Sequence, residues 1–142
     1  MNKVQTTVFI IWGVLCSSIF MYAAMLSSMT FAPGPNASAS GSLGGVIAII
    51  AASSTILSLL LRQLLLGGFS AGKLSLDNPQ DRGRFVAGNF VLFALSEGIG
   101  VLGFVNGLSS TGRGEAWLPY IGLSLLMMLY HIPLPSRFKP AA

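Results

Sequence analysis

Four long apolar runs separated by three polar stretches organise the chain. The first covers residues 8–31 and stops at Ala32-Pro33-Gly34-Pro35. The second covers 43–69, the third 85–108 and the fourth 116–134, where Pro133 and Pro135 end it. Each run is near the ~20 residues that carry a helix across ~30 Å of hydrocarbon. The runs are unbroken rather than alternating, and four strands cannot close a barrel, so the pattern predicts helices. The expected fold is all-α: one integral membrane domain, residues 1–142, forming a four-helix bundle.

Composition agrees. The chain is 53% hydrophobic and 8% charged, with a mean hydropathy of +0.75. A soluble domain carries about a quarter charged residues, so much of this surface is expected to face lipid. The net charge of +4 comes from basic residues scattered in ones and twos. They form no patch interleaved with aromatics, which argues against nucleic acid as a partner. Their distribution instead sets an orientation. Lys3, Lys73, Arg82, Arg84, Arg137 and Lys139 fall on one side of the expected bundle and Arg113 alone on the other. Both termini and the Ser70–Arg84 loop are therefore expected to be cytoplasmic, in a multi-pass protein of the cell inner membrane. Trp12, Trp117, Tyr120 and Tyr130 lie near run ends, as interfacial anchors do. Lys3 and the apolar run after it resemble a signal peptide, but Leu15 is too large for the residue before a cut at Cys16. The run is read as a first helix. A single cysteine, Cys16, allows no intrachain disulfide, and one histidine, His131, offers no metal site. His131 is expected to be hydrated at the interface.

Glu97 stands near the middle of the third run. A charged carboxylate at that depth costs at least ~2.5 kcal/mol, so the neutral, proton-bound form is expected unless a partner offsets the charge. Intramembrane acids of this kind are candidates for ion handling; the plainer role is a protonated side chain bonding a neighbouring helix.

The surrounding Ala94-Leu95-Ser96-Glu97-Gly98, with Gly103 and Val105 further on, resembles the ion-carrying helix of the rotary ATPase c subunit, the proteolipid. That family reads Ala-Leu-x-Glu, a small residue, then Gly-Leu-Val six to eight positions after the Glu. Its hairpin loop carries Arg-Gln-Pro, where this chain has Asn78-Pro79-Gln80 and Arg82. The resemblance covers about residues 85–108 and implies Glu97 as the proton-binding carboxylate. Gly98 follows it where sodium-binding members have Ser or Thr, which implies protons. The second run has only Gly44-Gly45 where the family has a Gly-x-Gly-x-Gly-x-Gly run, and two helices flank the hairpin. A looser resemblance links Ile10-Ile11-Trp12, the Ala-Leu-x-Glu helix and the Pro-rich end to stand-alone four-helix bacterial membrane proteins.

Three further features lie around Glu97. Ser54, Thr55 and Ser58 share its expected depth on the second run and offer hydroxyls to its carboxyl, or bond their own helix. Arg62 either snorkels to the headgroups or pairs with Glu97 across a depth difference of ~8 Å. Such a pair makes Glu97 a structural lock rather than a carrier. Ser96, Gly100, Gly103 and Gly107 form a small-residue stripe that lets helices approach closely, within one chain or between copies.

Two functions follow. The first is a c-subunit-like, proton-binding subunit of an oligomeric membrane complex using Glu97. The second is a non-transporting accessory subunit of a larger membrane complex, with Glu97 fixed by Arg62 or hydroxyls. Neither needs a cofactor. One acid without nucleophile, base or metal makes a poor catalytic site, so no enzyme is expected.

Overall fold

In a computed structural model, residues 3–29, 40–109 and 116–133 are described, with the side chains of 40–42 excepted. All of their regular structure is helical: α1 (Lys3–Ser28), α2 (Ser40–Ser70), α3 (Pro79–Ser109) and α4 (Leu118–Tyr130). The bundle is all-α. Arg113, Arg137 and Lys139, which enter the orientation argument, lie outside the described residues.

Helix boundaries differ from the apolar runs because capping chemistry, not hydropathy, sets them. α1 is already helical at Lys3, the first described residue and five before Val8, and Thr7 Oγ1 donates back to the Lys3 carbonyl of the same helix at 3.1 Å. α2 ends at a left-handed Gly72 (φ 72°), where the Lys73 amide reaches back to the Gly68 carbonyl at 2.9 Å in a glycine-terminated cap. α3 starts at Pro79, six residues before Phe85. Asn78 Oδ1 accepts the Gln80 amide at 3.0 Å, and Pro79 occupies the first helical position, where its missing N–H costs nothing. The linker between α2 and α3 is thus only about eight residues and is closed by caps at both ends.

α3 is the hub. It packs against all three other helices, while α1 additionally touches α4. α3 runs parallel to α1, with Ile19 beside Gly100 and Leu26 beside Gly107. It runs antiparallel to α4, with Ser124 beside Gly100 and Trp117 beside Gly107, and antiparallel to α2, with Leu65 beside Gly88. The contacts are close because three α3 glycines have no room for a side chain. A Cβ at Gly103 meets Tyr120 Cβ at 2.6 Å; one at Gly107 meets Leu26 Cδ2 at 2.8 Å; one at Gly100 meets Ser124 Oγ at 3.0 Å. The small-residue stripe, including buried Ser96, is therefore filled by α1 and α4 of the same chain.

The outward faces are apolar. Ile49, Leu64, Val14, Met21 and Leu126 are each at least 63% exposed. Helices α1, α2 and α3 are long and apolar enough to cross a membrane. α4 is shorter than the expected fourth run of residues 116–134. Its 13 residues give a rise of only ~20 Å, against ~30 Å of hydrocarbon. Pro119 marks its start, and Pro133 ends it because the residue before a proline is driven out of helical geometry. The antiparallel register carries Tyr130 to about the level of Phe93, roughly 13 Å short of Arg84. α4 therefore stops inside the apolar layer.

Candidate functional site

A helix that stops inside an apolar layer leaves its last four carbonyls without partners, and each costs several kcal/mol if unmet. All four are met. The Met127 carbonyl accepts the His131 amide at 2.9 Å, and the Leu129 carbonyl accepts the Ile132 amide at 3.3 Å. Trp12 Nε1 of α1 donates to the Met128 carbonyl at 2.8 Å. Arg62 of α2 donates through its guanidinium to the Tyr130 carbonyl and lies over the Tyr130 ring, 4.2 Å from its centroid.

Positive charge at a helix C-terminus is also favoured by the helix dipole. Arg62 is thus the cap of α4, which corrects the expectation that it pairs with Glu97. Beside it, Ser58 Oγ and His131 Nε2 are 2.7 Å apart, and both residues are buried. His131 is 3% exposed, so the expected hydrated interfacial histidine is instead an internal one. The interfacial placement of two aromatics also changes: Trp117 is buried in the core, and Trp12 is tied to the α4 backbone.

Glu97 belongs to a second polar cluster, one built by α1. Ser18 Oγ is 2.6 Å from Glu97 Oε1, and Tyr22 Oη donates to the same oxygen at 3.3 Å. Ser18 and Tyr22 are four residues apart, one turn along the same face of α1. The parallel register of α1 and α3 brings that face level with Glu97. Tyr22 is held by its ring, which stacks at 5.4 Å on Phe104 of α3. Among the described residues these two hydroxyls are the hydrogen-bond partners of Glu97, and it has no ion pair.

The hydroxyls expected to support Glu97 are engaged elsewhere. Thr55 Oγ1 donates to the Ala51 carbonyl of its own helix at 2.8 Å, Ser58 is with His131, and Ser54 is half-buried on α2. The reason is geometric: Glu97 faces α1, whereas α2 packs on other faces of α3. Ser18 and Tyr22 carried a signal in the sequence, as two hydroxyls one helical turn apart within an apolar run. Only the register between α1 and α3 connects that signal to Glu97.

Ser18 has a further contact, to the Leu15 carbonyl at 2.7 Å. Its one hydroxyl hydrogen therefore lies between two acceptors. With Glu97 ionised, Ser18 and Tyr22 donate to the carboxylate. With Glu97 protonated, the carboxyl donates to Ser18 Oγ, and Ser18 turns its hydrogen to Leu15. The same heavy-atom positions serve both arrangements, and only a hydroxyl rotation separates them. Among the described residues no cluster of His, Cys, Asp and Glu could hold a metal ion.

No protein-family model, curated protein or solved structure matches the chain.

Proposed function

We propose that the chain is a small subunit of an oligomeric membrane complex in which Glu97 binds and releases a proton. The observation that carries this reading is the position of the Ser18 hydroxyl, 2.6 Å from Glu97 and 2.7 Å from the Leu15 carbonyl. A carboxyl group that changes protonation within an apolar layer needs hydrogen bonding that suits both states, because rearranging a packed bundle is costly. The Ser18 rotor supplies it. Glu97 is half-buried between α1 and α3, so the group is sheltered without being sealed. The c-subunit-like sequence around Glu97 points the same way, and Gly98 after it favours protons over sodium. The six-to-one distribution of Lys and Arg supports cytoplasmic termini in the inner membrane.

Proton flux through the full chain in liposomes tests the reading. Wild type should carry protons and react at Glu97 with a hydrophobic carbodiimide, which attacks protonated carboxyl groups. Glu97→Gln keeps a hydrogen-bonding side chain but cannot titrate, and should lose both. Flux that persists in the variant would refute the proposal.

A second reading rests on the same contacts. Ser18, Tyr22 and the Tyr22–Phe104 stack join α1 to α3. Glu97 would then be a fixed bond in an accessory subunit. In that case Glu97→Gln weakens the α1–α3 pairing, and wild type shows no flux.

A further inference from the structure

Near the basic end of the bundle, α2, α3 and their linker enclose a groove of about 410 Å³, within the ~300–1,000 Å³ usual for ligand clefts. Its walls are Leu64 and Leu65 of α2, Leu74 of the linker, and Ala87, Gly88 and Val91 of α3, with Arg84 completing the lining. The groove exists because α3 presents small residues there. Gly88 lets α2 come so close that a Cβ would meet Leu65 Cβ at 3.2 Å, and Ala87 leaves open the space beside that contact. Leu74 is folded in against Gly68, where a Cβ would meet its Cδ1 at 2.7 Å, and it closes the end next to the linker.

Two arginines sit at this junction, and they are used differently. Arg82 is spent on the linker, donating through Nε to the Leu76 carbonyl and through its guanidinium to the Asp77 carbonyl. Arg84 is exposed and, among the described residues, has neither a hydrogen bond nor an ion pair. The nearest acid in sequence, Asp81, is buried and accepts the Ser75 amide at 3.2 Å. Arg84, Ala87 and Val91 follow one another along one face of α3, so the cation stands at the basic end of an apolar trough ~10 Å long.

We infer that this groove binds one anionic phospholipid of the leaflet that the basic end faces. One acyl chain lies against Leu64, Ala87 and Val91, and the headgroup phosphate is held by Arg84. A guanidinium engages phosphate through two parallel hydrogen bonds. Basic pockets between membrane helices recognise anionic headgroups in this way. The assignment is independent of any role for Glu97, which lies on the α1 side of α3.

The test uses the full chain in a mild detergent, titrated with phosphatidylglycerol or phosphatidylcholine, with bound lipid counted by native mass spectrometry. Wild type should retain one phosphatidylglycerol in preference to phosphatidylcholine. Arg84→Gln, at an exposed side chain without a hydrogen bond or ion pair among the described residues, should weaken phosphatidylglycerol about fivefold and phosphatidylcholine less, because the choline cation already offsets its phosphate. Ala87→Phe should fill the trough and weaken both lipids. Should that variant not fold, the comparison of Arg84→Gln with Lys3→Gln decides, since Lys3 shares the basic end but lies on α1. Equal losses in those two variants would mean a diffuse surface-charge effect and overturn the site. Competition by glycerol phosphate as strong as that by the lipid would reduce it to an anion contact and overturn it equally.

Discussion

At the inner end of α4, each backbone acceptor has its own donor: Trp12 for Met128, Arg62 for Tyr130, and local amides for Met127 and Leu129. Around Glu97 the pairing is redundant, because one Ser18 hydroxyl faces two acceptors. Both clusters put polar groups where water is scarce, yet only the first has a single satisfied arrangement. The difference separates polar groups that close a structure from polar groups that can change state. It also reassigns the charge that looked most relevant to Glu97. Arg62 serves the helix end, so Glu97 has hydroxyl partners instead of a counter-ion.

The largest expected effect falls on the α4 cap. Replacing Arg62 with Leu removes the guanidinium from the Tyr130 carbonyl and ring and should cost about 3 kcal/mol of stability. Proton exchange at Glu97 should survive wherever the protein still folds. Steric trapping or reversible unfolding in detergent measures the first quantity. Loss of proton exchange at full stability would mean that the two clusters are coupled and the distinction false.

Ser58→Ala leaves His131 Nε2 without its hydroxyl and should cost roughly 1–2 kcal/mol. The double variant Ser58→Ala/His131→Phe should recover part of that loss, because an apolar pair needs no partner. A thermodynamic cycle showing no coupling would remove the pair from the cluster.

Trp12→Phe deletes one indole donor and keeps the ring, so about 1 kcal/mol should be lost. The smallest effect is expected at Gly98, next to Glu97, where a Cβ meets nothing within 4 Å. Gly98→Ala should stabilise by about 0.5–1 kcal/mol, the helix-propensity difference alone. A large shift would show that the flank of Glu97 is packed against a further partner.

Much of this architecture was legible in the sequence, for physical reasons that also mark the limits. Apolar runs predict helices well, since backbone groups in lipid must be satisfied within the segment. They locate helix ends poorly: Asn78-Pro79 starts α3 well outside its apolar run, and Ile132-Pro133 stops α4 within one. Glu97 stood out as an acid at mid-run. Its partners did not, because hydropathy and spacing describe each helix alone, whereas Ser18 and Tyr22 meet Glu97 only through the parallel register of α1 and α3. Arg62 was misjudged for a related reason. Where a helix ends within an apolar run is invisible until the length of α4 is known, and that end is what captures the guanidinium.

Infrared difference spectroscopy of the full chain in lipid, between acid and alkaline buffer, reports the protonation of Glu97 and its hydrogen bond to Ser18 together. A carboxylic C=O band should appear at low pH, vanish in Glu97→Gln and shift to higher frequency in Ser18→Ala, where the carboxyl loses its acceptor. A spectrum without any Glu97 band across that range, or one that Ser18→Ala leaves unmoved, would contradict a proton-exchanging carboxyl served by the Ser18 hydroxyl.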